Sequence, residues 1–357
     1  VMIGEGRATY QGETLDGAEA LKRAGLKPVV LSSKEGLILL SGTTSVTAFA
    51  SLAIYDAQTL SLTADIAGSF TLEVLKGTLM AMDERLMAVR PRPDQINTAA
   101  NIRAILKDSP MLERCRGHRV QDALSIRCMP QLHGPVKKAI KDAQATLAIE
   151  LNSSVDNPLI FDEEDGGAVA LMGCNADGTY AGMASDNLCI AITDLCKMSN
   201  SRIDRLLNSL VSELPAFLNK NADFNNGLMM IQYASAGLQG ELRILAHPAM
   251  VDNLTTCANQ EDYVNMGYNA AKKAYDSMHL AKYILAAELI CDGQALDCYE
   301  DKRCAKGTQA IYDLLRSKVP EMDNDMPLTP YLEAVAQQII DRAYIRTVEA
   351  SVGALKF

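Results

Sequence analysis

The chain has 357 residues, of which 48% are hydrophobic and 22% charged, so the composition is that of a globular and not a disordered protein. The formal net charge is −10 and lysines and arginines form no cluster, so nucleic acid is not an expected partner. No run of 18 apolar residues occurs, so no membrane association is expected either.

The nine cysteines are scattered and form no Cys-x-x-Cys pair, a usage typical of buried free thiols in a reducing compartment. We therefore expect a cytoplasmic protein without disulfides. The four histidines are far apart in the sequence, so no metal site is predicted.

The first part of the chain, residues 1–44, is rich in glycine and turn-forming residues and is predicted as a loop-rich segment that leads into helices. Residues 45–66 and 70–84 are rich in alanine and leucine, which predicts two helices. The two prolines of PRPDQ, residues 91–95, predict a loop. Residues 134–151 have one lysine-bearing face and one apolar face, which predicts an amphipathic helix.

Two long runs, 183–213 and 268–292, contain neither glycine nor proline and predict long helices of a bundle. Residues 329–350 carry apolar side chains at helical spacing and predict one more helix. No linker divides the chain, so residues 1–357 are expected to be one domain. The fold class predicted from these patterns is all-α.

Polar residues interrupt apolar stretches at two places in the first half of the chain. The run KEGLILL ends in Ser41-Gly42-Thr43-Thr44, where a hydroxyl could cap a helix or face a site. In QDALSIRCMPQ, residues 121–131, Arg127 could form a structural ion pair, or its guanidinium fork could bind a carboxylate.

Two further stretches have the same character. Asp156 and Asn157 precede Pro158 and are typical of a turn. The acidic and amide residues 259–262 could cap the start of a helix, or they could place one carboxylate in a cleft where it acts as a base.

Together these stretches resemble the family of histidine ammonia-lyase and phenylalanine ammonia-lyase. The resemblance covers almost the whole chain, in the order of the family. The matching segments are GEGRATYQGE at 4–13, KEGL at 34–37, QDxxSxRCxPQ at 121–131, VDNPL at 155–159, LPAFL at 214–218, ANQEDYVNM at 258–266 and VPEMDNDMPL at 319–328.

The resemblance implies an all-helical fold of the aromatic amino acid lyase, aspartase-like type, and a homotetramer whose active sites draw on several subunits. It implies a carbon–nitrogen lyase that leaves an α,β-unsaturated acid. The family's electrophile, a methylidene-imidazolone (MIO), is made from an Ala-Ser-Gly triplet. That triplet would precede Val1, so we expect an N-terminal portion that is absent from this sequence, whether on the same chain or a separate one.

The resemblance also implies roles for single residues. Arg127 matches the arginine that holds the substrate carboxylate, and Gln121 matches a glutamine near the electrophile. Glu261, preceded by Gln260, matches a glutamate of the histidine-specific branch and favours an imidazole-like substrate.

Three positions depart from the family pattern. Ser41 stands where the family has asparagine, Leu124 where it has tyrosine, and Ala176 within Cys174–Asp177 where the family reads Gly-Asn-Phe-His. We expect these positions to line the site, with either a new specificity or a lost activity.

Three hypotheses about function therefore remain. The first is a histidine-type ammonia-lyase that tolerates the three departures, or an aminomutase of the same family. The second is an ergothionase-like relative that releases trimethylamine from a histidine betaine without an electrophile, because a quaternary ammonium is a better leaving group. The third is an inactive paralogue that serves as a partner subunit.

Overall fold

The structure is a computed structural model that describes residues 1–221 and 224–357. Within these residues most of the chain is helical, which confirms the all-α fold class. The helices are α1 (Gly17–Arg23), α2 (Glu35–Ile38), α3 (Thr44–Val74), α4 (Glu84–Ala88), α5 (Pro93–Ile105), α6 (Pro110–Arg114), α7 (Leu124–Arg127), α8 (Met129–Glu150), α9 (Thr179–Leu207), α10 (Ser209–Ser212), α11 (Met229–Leu245), α12 (Gly267–Asp297), α13 (Lys306–Arg316), α14 (Thr329–Ile340) and α15 (Ala343–Val352).

Two antiparallel hairpins complete the described secondary structure. Strand β1 (Arg7–Tyr10) pairs with β2 (Glu13–Asp16), and β3 (Leu159–Asp162) pairs with β4 (Ala168–Leu171). Short 3₁₀ turns lie at Leu79–Met82, Ala216–Leu218 and Cys257–Asn259.

The chain divides into two compact units. Unit 1 consists of Val1–Thr44 and Ser154–Asp177, and it contains both hairpins with α1 and α2. Unit 2 consists of Ser45–Ser153 and Gly178–Phe357, and it contains the long helices and the large hydrophobic core.

The long helices of unit 2 form a bundle. Helix α9 packs against α8, α11 and α12, and α12 also contacts α14. Every residue of α12 from Ile284 to Asp297 is buried, as is every residue of α3 from Thr59 to Val74. Helices that are buried all round form the centre of a core. The predicted run 268–292 lies within α12 and is confirmed as a bundle helix. The run 183–213 is helical in α9 only as far as Leu207, because Asn208 is extended and the short helix α10 follows.

Several predicted boundaries are wrong, and each error has a local cause. Residues 45–66 and 70–84 are not two separate helices, because α3 continues from Thr44 to Val74 through Gly68. A Cβ on Gly68 would lie 2.3 Å from Met129 Sδ, so this glycine permits close packing and does not end the helix. Helix α5 begins inside the predicted loop at Pro93, because proline is tolerated in a first helical turn.

The same reason moves another boundary. Helix α8 begins at Met129, five residues before the predicted start, with Pro130 in its first turn. The predicted helix 329–350 is two helices, because Arg342 adopts a left-handed conformation (φ 58°) between α14 and α15.

A buried polar cluster joins three helices of unit 2. Asp65 of α3 accepts hydrogen bonds from His133 Nδ1 at 2.8 Å, Lys137 Nζ at 2.6 Å and Asn101 Nδ2 at 2.8 Å. Burial acts to raise the pKa of Asp65, but the neighbouring Lys137 and His133 lower it below its usual value. A buried carboxylate with such partners fixes the relative positions of α3, α5 and α8.

Of the helices that the structure describes, none is long and apolar enough to cross a membrane.

Candidate active site

Helix α7 is a single turn that presents Arg127 at its end. The turn follows Asp122, whose Oδ2 atom accepts a hydrogen bond from the Thr78 backbone N–H at 2.8 Å. Burial raises the pKa of Asp122, whereas the Thr78 N–H and nearby arginines act to lower it. This contact anchors the chain just before α7.

The guanidinium of Arg127 is only partly hydrogen-bonded within the described residues. Its Nη1 atom donates a hydrogen bond to Gln121 Oε1. Its Nε atom is buried and has no hydrogen-bond partner among residues 1–221 and 224–357. A buried donor without a partner costs free energy, so this edge of the fork is suited to an anionic ligand.

Leu124 lies on the same face of α7 as Arg127, because residues three apart on a helix are neighbours. It is 61% exposed. Gln121 is exposed as well. The structure thus brings Gln121, Leu124 and Arg127 together, as the sequence predicts.

A buried ion pair of the bundle core contacts the backbone of α7. Arg202 of α9 and Glu288 of α12 are both fully buried, and Arg202 Nη2 donates to Glu288 Oε2 at 2.9 Å. The other terminal nitrogen, Arg202 Nη1, donates to the Ser125 carbonyl of α7 at 3.3 Å. The pair therefore connects the bundle core to the turn that carries Arg127.

Three polar residues complete this cluster. Thr71 Oγ1 lies within hydrogen-bond distance of Glu288 Oε1 (2.9 Å) and of Asp292 Oδ1 (2.7 Å), and Ser199 Oγ donates to Glu288 Oε2. Burial and the charge of Glu288 raise the pKa of Asp292 well above its usual range. Both effects favour the neutral form of the Asp292 carboxyl.

Glu261 lies in the loop of residues 246–266, between α11 and α12. The sequence suggests a helix start here, but α12 begins only at Gly267. The Thr256 N–H donates to the Glu261 carbonyl at 2.8 Å, and Thr256 Oγ1 donates to Glu261 Oε2 at 2.8 Å. Both Gln260 and Glu261 are exposed to solvent.

Ser41 lies in unit 1, just after α2. Its hydroxyl donates to the Leu37 carbonyl at 2.9 Å, so it does not cap α3. The next residue, Gly42, has φ +93°, and a Cβ there would lie 2.6 Å from the Val155 carbonyl oxygen. Only glycine fits this conformation and this close approach, which fixes the position of Ser41.

Residues 155–158 connect the other predicted positions of unit 1. Lys34 Nζ lies 2.6 Å from Asp156 Oδ2 and donates to the Pro158 carbonyl. The hydrogen bond from Lys34 holds the pKa of Asp156 below its usual value. Asp156 is thus an ion-pair partner as well as a turn residue.

The segment that carries Ala176 joins the same group of contacts. Gly173 N donates to Asn157 Oδ1 at 3.0 Å, and Asp177 N donates to the Cys174 carbonyl at 3.0 Å. Ala176 itself is half-buried in this turn. Unit 1 therefore groups the segments of Ser41 and Ala176 around residues 155–158.

Sequence reasoning did not single out Arg202 and Glu288. Arg202 lies among other charged residues of α9 and carries no distinguishing signal, whereas Glu288 is a charged residue within the apolar stretch ILAAELIC of α12. Such a residue in a buried helix is generally paired, although its partner cannot be read from the sequence.

A family model for aromatic amino acid lyases matches residues 1–317 of the chain. A histidine ammonia-lyase of Alkaliphilus oremlandii is 41% identical over 352 residues, which cover 99% of this chain and 69% of the relative.

Solved structures give the same result. The crystal structure of histidine ammonia-lyase from Trypanosoma cruzi is similar with a TM-score of 0.89 and 33% identity, over 98% of this chain and 67% of that one. Ergothionase, an ergothioneine-degrading enzyme of Treponema denticola, has a TM-score of 0.87 at 25% identity, over 96% of this chain and 69% of that one.

Proposed function

Because the chain belongs to the aromatic amino acid lyase family, we propose that it is a carbon–nitrogen lyase acting on a histidine-type amino acid. The reaction breaks the Cα–N bond, removes a proton from Cβ and leaves an α,β-unsaturated acid. The observation that carries the proposal is the Arg127 guanidinium beside Gln121, whose buried Nε atom has no hydrogen-bond partner within the described residues.

Arg127 binds the substrate carboxylate. Its Nε atom and the remaining Nη2 atom form one edge of the fork, which matches the two oxygens of a carboxylate. Binding provides the partner that the buried Nε atom lacks within the described residues. Gln121 keeps the guanidinium oriented from the other side.

Glu261 orients the ring of the substrate. An exposed carboxylate accepts a hydrogen bond from an imidazole N–H, and it attracts a cationic ring. The histidine ammonia-lyase names of the relatives support this choice of ring over a phenyl ring. Holding both ends of the amino acid places Cα and Cβ in a fixed geometry for elimination.

The electrophile of the family is the MIO group. It is made from an Ala-Ser-Gly triplet, which does not occur in the 357 residues, so these residues cannot form it. Ser41 directs its hydroxyl to the Leu37 carbonyl, and Ala176 offers no polar side chain to such a group. These two positions therefore offer the group no side-chain donor, and none of the roles above depends on it.

We expect Glu261→Gln to lower kcat/KM for histidine at least tenfold with the fold preserved. Glutamine keeps an acceptor oxygen for Thr256 Oγ1 but loses the charge that attracts the ring. Steady-state kinetics and thermal melting on the same preparation measure both effects. The matched control is Asp262→Asn, the exposed acid next to it, which should leave turnover unchanged. A lower melting temperature with normal kinetics would contradict the proposed role.

The ergothionase-like reaction is the second candidate, and the three departures favour it. Ser41, Leu124 and Ala176 replace the larger side chains that the family pattern carries at these positions. The decisive comparison is incubation with histidine and with its trimethylated betaine, with measurement of the ultraviolet absorbance of the conjugated acid and of the amine released. Turnover of histidine alone supports the first proposal, and turnover of the betaine alone supports the second. Absence of both would favour the inactive paralogue.

We also propose a homotetramer in the cytoplasm. Helix α9 exposes Tyr180 (76%), Met183 (62%) and Ile190 (47%), and large exposed apolar side chains are typical of subunit interfaces. The nine cysteines are free, as expected in a reducing compartment. Sedimentation at micromolar concentration should give four copies. A fully active monomer would contradict the tetramer.

A further inference from the structure

The loop that carries Glu261 has few contacts of its own. All residues from Val251 to Tyr263 are exposed, so the loop buries little apolar surface. At its tip Cys257, Ala258 and Asn259 all have positive φ, a conformation that costs free energy for residues other than glycine. A loop of this kind keeps its shape only if polar contacts elsewhere hold it.

An ion pair of unit 2 supplies those contacts at the base of the loop. Lys273 Nζ of α12 lies 2.6 Å from Asp186 Oδ1 of α9, and these side chains are only 17% and 6% exposed. The same ammonium group donates to the His247 carbonyl at 2.5 Å. The other oxygen, Asp186 Oδ2, accepts from the Met250 backbone N–H at 2.9 Å. Both members of the pair therefore bind the backbone of the loop.

The side chain of Asn253 makes a second set of contacts, which hold the loop close to Glu261. Asn253, three residues beyond Met250, donates from Nδ2 to the Asp262 carbonyl at 3.1 Å. Its Oδ1 atom accepts from the Val264 N–H at 2.8 Å. The two limbs of the loop are thus tied together directly after Glu261.

We propose that Asp186 and Lys273 are positioning residues for Glu261, and that their ion pair fixes the loop that presents this carboxylate to the substrate. The inference rests on the proposed function, because it assigns the pair a role in the contact between Glu261 and the ring. Neither residue touches the substrate itself. Their contribution to the reaction passes through the backbone at His247 and Met250.

The first test is kinetic. Lys273→Met should lower kcat/KM by about ten- to a hundredfold, since a displacement of about 1 Å at a catalytic group has effects of this size. Lys273→Arg should recover part of the loss, because it retains the charge. The matched control is Lys272→Met, since Lys272 is the neighbouring lysine and forms an exposed pair with Asp276. When Lys273→Met is added to the Glu261→Gln variant, kcat/KM should fall by a further factor of less than about three. If Lys273→Met lowers kcat/KM by the same factor in the wild type and in the Glu261→Gln variant, the inference is overturned.

The second test does not depend on turnover. Hydrogen exchange at the Thr256 and Val264 amides should become at least about tenfold faster in Lys273→Met and Asp186→Asn than in Lys272→Met. Exchange in the buried parts of α9 and α12 should stay unchanged. Acceleration throughout both helices would mean a general structural role, and an unchanged loop would overturn the proposal. A wild-type protein without turnover would contradict the proposed function, while the exchange pattern would still decide whether the pair holds the loop.

Discussion

Arg127→Ala is expected to lower kcat/KM for the amino acid substrate by about ten- to a thousandfold. The change removes a charge-assisted pair between a guanidinium and a carboxylate, a loss of about 1.5–4 kcal/mol in transition-state binding. The effect should be large because the Nε atom of Arg127 is buried and has no hydrogen-bond partner in the part of the chain that the structure describes. Steady-state kinetics with the substrate that the wild type turns over measure the loss.

Arg127→Lys should recover little of this activity, since a single ammonium group cannot replace two parallel N–H donors. The matched control is Arg116→Ala, because Arg116 is an arginine whose ion pair with Glu113 lies in the exposed surface. That variant should keep wild-type kinetics. Unchanged kinetics in Arg127→Ala would mean that Arg127 is a structural residue.

The long helices could be predicted from the sequence because their cause is local. An absence of glycine and proline over about 25 residues identifies α12 and most of α9 without any knowledge of neighbours. Helix α9 nevertheless begins at Thr179, before the predicted run, and passes through Gly182. A Cβ on Gly182 would lie 2.4 Å from Met250 Sδ, so this glycine reflects packing against a residue 68 positions away. No local pattern distinguishes such a glycine from one that ends a helix.

The candidate site likewise contains features that could be predicted from the local sequence and features that could not. Gln121, Leu124 and Arg127 come together because they lie within one short segment, and their grouping on α7 could be predicted. The conformation of the Glu261 loop could not be predicted, because its left-handed residues include no glycine to indicate them. The buried partners of α7 were missed for another reason, since Arg202 and Glu288 lie on different helices far apart in the sequence.

The buried polar cluster around Glu288 contributes to the stability of the fold and to the position of Arg127. Glu288 accepts hydrogen bonds from Arg202, Ser199 and Thr71, which leaves its buried charge well compensated. Removal of one partner from such a pair leaves the other charge buried and unpaired. The link from Arg202 to the Ser125 carbonyl means that the same change also affects the turn that presents Arg127.

Arg202→Met is therefore expected to lower the free energy of unfolding by about 3–5 kcal/mol, the usual cost of breaking a buried ion pair. Urea denaturation at neutral pH measures this loss.

Adding Glu288→Met removes the unpaired charge and should recover part of the stability, although the Ser199 hydroxyl then loses its acceptor and Thr71 keeps only Asp292 Oδ1. The double variant should still have a reduced kcat/KM, because the Ser125 carbonyl has lost its donor. Asp292→Asn is the control, since burial raises the pKa of this carboxyl in the folded protein and favours its neutral form, while the unfolded chain ionises it above pH about 4. Wild-type stability falls as the pH rises from there toward the raised pKa, so the asparagine variant should be at least as stable as the wild type at neutral pH. A double variant with full stability and full activity would mean that the pair is dispensable for both, and that the buried Ile126 and the anchor at Asp122 are sufficient to hold α7.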